Sequence, residues 1–266
     1  MSILQDSVES PLYIIGIFGV MKHTTKKVLL WLYQIDKEVE RVVSVDELRL
    51  LLPELKNSGF RSLLNLLKNQ SLISREEKDN QVVYRLTSYG ESLLKAQFPL
   101  FSNLMSDWSG DWSMIVFLTA PKSDKQFRYL RKFLIDEHCG QLARGVYLYP
   151  GELPSSISNL LLKLYVGSAL VTGMAEWSFG DERSLITSVF GLSDLKSGYS
   201  GISKEVYQLL KQKNKVKGLE GRDNMAVCLA FDRLLNLLSF DLGLLRHYYP
   251  ESKSGDELLS ELQELF

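Results

Sequence analysis

Three short helical patterns, then a strand, a charged turn and a second strand, occupy Lys22 to Gln97. That order restricts the fold more than any other feature of the chain. Val28, Trp31, Leu32 and Ile35 stand at i, i+3, i+4 and i+7, one face of a helix. Ser44 and Glu47 have the spacing of a capping box, in which each side chain bonds the other residue's backbone N–H. They open a second helix through Leu48, Leu51 and Leu52, which Pro53 stops. After a turn from Glu54 to Ser58, Phe60, Leu63, Leu64 and Leu67 repeat the helical spacing. Leu72 to Ser74 and Val82 to Leu86 are strand candidates, separated by an apolar-free turn from Arg75 to Gln81. Three helices followed by strand–turn–strand is the order of a winged helix.

With its apolar stripe buried, the third helix turns Arg61, Ser62, Asn65, Lys68 and Asn69 outward. Arg and Asn pair bidentately with guanine and adenine edges in the major groove, and Ser and Lys suit base edges or phosphates. Every surface helix has a polar face, so the face alone is equally that of an ordinary solvated helix. The hairpin that follows adds a second element for a groove or backbone, with Lys78 as its phosphate contact. Lys22 to Gln97 carries 13 basic and 10 acidic residues, an excess that gives only weak non-specific attraction to DNA.

A second unit spans 106–176. Ser113 to Leu118 is a strand that Pro121 ends, and Phe127, Leu130 and Leu134 mark an amphipathic helix carrying Lys125, Arg128, Arg131 and Lys132. Gly140 and Gly145 flank a turn, and Val146 to Tyr149 is a strand. A helix through Ile157, Leu160 and Leu164 leads to a last strand from Ala169 to Thr172. This rhythm suggests a ferredoxin-like α+β sandwich. From 177 to 266 the spacing is helical, over Leu185 to Leu192, Val206 to Leu210, Met225 to Leu238 and Leu258 to Phe266. The expected fold is therefore α+β: an N-terminal winged helix-turn-helix over 22–97, a central ferredoxin-like domain over 106–176 and an all-helical C-terminal domain over 177–266. Residues 1–21 form an N-terminal arm. Its apolar run, Leu12 to Met21, is about half the roughly 20 residues a bilayer crossing needs, and it lacks the leading positive charge of a secretory signal. It reads as a segment packed on a neighbour, and no membrane association is expected.

A formal net charge of -1 excludes a uniformly basic nucleic-acid coat. Two cysteines, Cys139 and Cys228, cannot build a disulfide framework or a Cys-rich zinc site, and their scarcity fits a cytoplasmic protein. The chain has no P-loop, GxGxxG, CxxC or HExxH motif, so no cofactor, metal or catalytic residue is expected. His138 beside Cys139 reads as a helix C-terminal residue whose partial positive charge favours the dipole. His23 and His247 read as surface or capping residues, and Asp111 and Asp124 as solvated loop acids.

At this point the chain resembles the PaaX family, repressors of phenylacetic-acid degradation genes, over nearly its whole length. FRSLLNLLKNQSLI, from Phe60 to Ile73, is similar to the family's recognition helix, and VVYRLTSYG, from Val82 to Gly90, to its wing strand and the LTxxG that follows. WSGDWSMIVF, from Trp108 to Phe117, leads through Arg128, Arg131 and Leu134 to GQLARGVYLYP, from Gly140 to Pro150. SFDLGLLRHYYPESKSGDELLSELQEL resembles the C-terminal helical block. Leu66 stands where the family tends to repeat an arginine, His138 and Cys139 replace a glycine-phenylalanine, and Lys253 replaces a tryptophan. These departures bear on operator and inducer, not on fold. The family's central domain resembles a CRISPR-associated endonuclease that uses an Asp at the end of its first strand. Here that strand ends Leu118-Thr119-Ala120-Pro121, without a carboxylate.

The resemblance implies a homodimeric transcriptional repressor bound to a double-stranded DNA operator and released by an acyl-CoA or related metabolite. Such a ligand needs clustered cations and an apolar slot. Arg128, Arg131 and Lys132 share one helix face and Arg144 stands before the Gly145 turn, while Trp108 or Trp112 would line the slot. The alternative is that these arginines bind acidic residues of the C-terminal block. Leu234, Leu235, Leu237, Leu238, Leu244 and Leu245 are either the dimer surface or core. Two other functions stay open: a winged-helix protein-interaction module, and a metal-dependent nuclease of the central domain.

Overall fold

The computed structural model describes residues 21–35, 41–102, 108–119, 125–165, 167–213 and 221–265, with only the backbone at 221–223. The N-terminal arm up to residue 20, Pro121 and Asp124 lie outside the described residues.

Helix α1 (His23–Leu32) is buried along its second half, from Val28 through Leu32, so the expected single apolar stripe is wider than a surface helix requires. The reason is that α1 packs against two later helices, Ser88–Gln97 and Gly221–Leu238. Ile35 lies beyond the helix end and packs on the core from there. Strand β1 (Val43–Ser44) leads into α2 (Val45–Leu51), capped by Ser44, whose hydroxyl accepts from the Glu47 N–H at 3.1 Å. The reciprocal half of the capping box is not formed. The Glu47 carboxylate instead accepts from Trp31 Nε1 at 2.8 Å and Arg41 at 2.9 Å, tying α2 to α1.

Helix α3 (Asn57–Asn69) buries Phe60, Leu64 and Leu67, with Leu63 half-buried. Strands β2 (Ile73–Lys78) and β3 (Gln81–Leu86) then form a hairpin, and the three-stranded sheet runs β1-β3-β2, all antiparallel. The hairpin corrects the expected seven-residue turn. Arg75 to Lys78 continue the strand, and the turn is only Asp79-Asn80, at φ 51° and 63°. Both turn residues are left-handed, the type I′ geometry that matches strand twist, and Asp and Asn tolerate it. The charged residues fit a strand because β2 is an edge with most of its side chains in water.

Helix α4 (Ser88–Gln97) has no counterpart in the sequence reading. Thr87 caps it by accepting from the Gly90 N–H at 3.0 Å, and Thr87 Oγ1 also reaches the carbonyls of Ser71 and Leu72. Gly90 is needed there because a Cβ would stand 2.1 Å from the Leu72 carbonyl oxygen. A 3₁₀ turn (Pro99–Phe101) follows.

The central unit contains β4 (Trp112–Phe117), α5 (Lys125–Asp136), β5 (Gly140–Ala143), β6 (Val146–Pro150), α6 (Ser155–Leu164) and β7 (Ala169–Met174). Its sheet order is β5-β6-β4-β7 with every neighbour antiparallel. That is the split βαβ arrangement of a ferredoxin-like sandwich. Helices α5 and α6 close one face over a core that includes Ile115, Phe117, Leu130, Leu134 and Ile157. Gly140 opens a strand and not a turn. A Cβ there would lie 2.5 Å from Val189 and Phe190 of the next helix.

The remaining helices are α7 (Glu182–Phe190), α8 (Leu192–Lys213), α9 (Gly221–Leu238), α10 (Leu244–Tyr248) and α11 (Gly255–Gln263). Leu234, Leu235, Leu238, Leu244 and Leu245 are fully buried between them and Leu237 is half-buried, so these leucines are core and not a dimer surface. One continuous core joins α1–α4 to α8–α11, from Val28 to Leu265. Within it Lys27, 2% exposed, bonds Asp232 of α9 at 2.8 and 3.1 Å. Lys213 Nζ donates to the Glu264 carbonyl at 2.7 Å, and Arg246–Asp256 and Lys253–Glu261 form ion pairs near the C-terminal end.

Candidate nucleic-acid interface and interdomain cleft

Helix α3 presents Arg61, Ser62, Asn65, Lys68 and Asn69 to solvent, all exposed. The helix contains no carboxylate. Neither Arg61 nor Lys68 forms an ion pair among the described residues. Leu66, 50% exposed, sits among them where a polar side chain would be expected. The N-terminal turn is uncapped by any side chain, with Lys56, Asn57, Ser58 and Gly59 all exposed. Free N–H groups and the helix dipole there favour an anion. The helix ends in a Schellman turn: Ser71, at φ 57°, donates to Lys68 O, and Leu72 donates to Leu67 O.

Lys78 stands at the hairpin tip, exposed, but its surroundings are mixed. Arg75 and Lys78 share the strip with Glu76, Glu77 and Asp79, so the tip carries more carboxylates than cations. Glu76 pairs with Arg85 at 3.2 Å, and Glu77 lies 3.8 Å from Arg75.

The second set of expected residues does not converge as a charged cradle. Lys132 pairs with Asp136 at 2.6 Å along its own helix. Arg131 Nε donates to Gln141 Oε1 of β5 at 3.1 Å, and Arg128 and Arg144 are exposed. None of these partners belongs to the C-terminal block. Trp108 and Trp112 form no slot either. They meet edge to face at 5.1 Å, Trp108 stacks near His247 and Tyr248, and Trp112 lies against Phe190. Asp111 accepts from Ser109 Oγ at 2.6 Å. No cluster of three His, Cys, Asp or Glu residues occurs among the described residues, and β4 runs out at Leu118-Thr119.

The apolar space lies elsewhere. A cavity of about 470 Å³ opens between α5–β5 and α7–α9, lined by Ile135, Phe190, Leu195, Leu237 and Phe240 with Gln141 and Asp194. A second, of about 310 Å³, is lined by Lys95, Ala96, Pro99 and Ser102 on one side and Glu137, Tyr149, Pro150 and Pro154 on the other. His138 and Leu242 line both. Leu242 is held by its neighbours: the buried Asp241 accepts from Tyr199 OH and from the Gly243 N–H, each at 2.7 Å. Burial pushes the Asp241 carboxyl up. His138 does end its helix as expected, yet burial holds its imidazole below the ordinary value near 6.5, so it is not the positive dipole partner foreseen. Sequence reasoning missed this cleft because its lining comes from elements far apart in the chain.

The described chain thus combines a winged-helix arrangement, an antiparallel split βαβ sandwich and a helical block that shares the first unit's core. Residues 105–186 match the family model described as "PaaX protein central Cas2-like domain". Among solved structures, the uncharacterized protein Rv0674 from Mycobacterium tuberculosis aligns over 89% of this chain and 95% of its own, at 15% identity and a TM-score of 0.42. No curated protein matches. No helix among the described residues is long and apolar enough to cross a membrane.

Proposed function

We propose that the chain is a sequence-specific DNA-binding repressor that reads its operator with α3 and is released by a metabolite of the acyl-CoA class. The observation that carries the reading is the outward face of α3, with Arg61, Ser62, Asn65, Lys68 and Asn69 exposed and no carboxylate on the helix. Arg61 and Asn65, one turn apart, would read base edges, and the uncapped helix start with Lys68 would hold phosphates. The effector enters the cleft beside α5, with Arg131 and Gln141 at its mouth for an anionic group.

A homodimer supplies the two half-sites such a reader needs. The surface that suits it is the free edge of the central sheet at β7, where Leu170 and Val171 are 58% and 52% exposed and no charge interrupts residues 164–175. Unblunted edges of this kind pair with another strand. The experiment is a gel shift on the DNA upstream of the protein's own gene, against random DNA, with and without acyl-CoA thioesters. Retardation of upstream DNA alone, relieved by one thioester, supports the reading. Equal retardation of both DNAs removes it.

A second reading, a winged helix that binds protein, draws on the carboxylate-rich hairpin tip and on Leu66, which put acid and apolar surface where DNA would lie. Binding of neither DNA would favour it.

A further inference from the structure

His138 occupies the first position past the end of α5, at φ 66°, in a Schellman turn: its N–H donates to Ile135 O, and the Cys139 N–H to Leu134 O. Glycine takes that position without strain, whereas a residue with a Cβ does not. This strained residue lines both cavities, as does Leu242, and these are the two residues the cavities share. On one side lie the C-terminal end of α4 and the 3₁₀ turn, and on the other α7 and α9.

We infer that the two cavities are compartments of one ligand cleft, that His138 and Leu242 form the septum between them, and that His138 thereby sets the length of ligand the cleft accepts. The ligand class is a small apolar acid or its ester. The larger compartment is lined by Ile135, Phe190, Leu195, Leu237 and Phe240, and the Arg131–Gln141 pair stands beside it for the anionic head. Its size lies within the range of small-molecule sites. With the septum closed the apolar tail stops at His138. Without the side chain it continues toward Ala96 and Pro99. The inference rests on the reading of the chain as a ligand-released regulator, and its test uses no DNA so that the two fail separately.

The test is calorimetric titration of the full chain with hexanoic and hexadecanoic acid. Wild type is expected to bind both with similar affinity. His138→Gly should bind hexadecanoic acid at least about tenfold tighter, the worth of about two buried methylenes, with hexanoic acid unchanged. Adding Ala96→Trp, which fills the smaller compartment from an exposed position, should cancel the gain. Glycine relieves the left-handed strain, so the variant's melting temperature should equal or exceed that of wild type. His138→Asn, which also tolerates the conformation, should give a smaller gain. Wild type that already prefers the long acid strongly, a folded His138→Gly with no gain, a gain that survives Ala96→Trp, or no binding by any form overturns the septum. Loss of upstream DNA binding in the gel shift leaves this result standing and removes only the regulator reading.

Discussion

Helices α3 and α5 begin from the same recipe and end with different surfaces. Each is amphipathic, each buries one stripe on a sheet, each shows cations to water, and each closes in a Schellman turn with a non-glycine residue in the left-handed position, Ser71 in one and His138 in the other. The difference is in what the cations face. Arg61 and Lys68 on α3 have no carboxylate within their helix, whereas on α5 Lys132 is held by Asp136. A cation whose bonds are already made has little left to give an incoming phosphate, and one that stands alone releases counterions when the phosphate arrives. Equal charge on two helix faces is thus not equal binding capacity.

The largest effect should fall where the helices are alike. Leu67→Ala and Leu134→Ala each remove a fully buried leucine and should each cost about 2–5 kcal/mol in denaturant unfolding. A loss under about 1 kcal/mol at either would mean that this helix does not share the packing described for its twin. The next effect should separate them. Arg61→Ala should weaken operator binding by about 1–3 kcal/mol and relax preference at one base pair, while Arg128→Ala leaves it unchanged. Equal losses measured by anisotropy for the two variants would break the comparison. Lys68→Ala should weaken all DNA sequences evenly and lower the salt slope by about 1.

Smaller effects concern the helix ends. Ser71→Gly should raise stability by about 0.5–1 kcal/mol, because only the conformational strain is removed. His138 should add a pH dependence that Ser71 cannot. Its folded pKa is depressed by burial, so the unfolded chain binds the extra proton and stability is lost as pH falls below the ordinary value near 6.5. Denaturant midpoints across that range should show the loss in wild type and not in His138→Asn. Lys132→Ala, fully exposed, should leave both stability and DNA binding unmoved.

Much of this was legible in the residues. The three helical stripes, the hairpin and the split βαβ rhythm follow from periodicity, and the outward face of α3 follows from its apolar one. The exceptions have physical causes. Helix α4 was missed because its apolar signal is short, with Leu94 as its buried leucine, and its start depends on Thr87 and Gly90 fitting against Leu72. The strand content of the hairpin was hidden by charges that an edge strand tolerates. The C-terminal leucines could not be divided between core and interface, since both want the same side chains. The cleft depends on long-range juxtaposition that no local spacing records.

The buried Lys27–Asp232 pair has a mechanical meaning. It joins the first described helix to α9, inside a core that runs without a break from α1 to the last helix, while the central sandwich keeps most of its apolar residues in a core of its own. The first unit is therefore fixed to the C-terminal helices as one body, and the sandwich is a second. Any displacement that leaves both cores intact is a tilt of one body on the other. The surfaces that bear on each other in such a tilt are those around His138, Phe190 and Leu242.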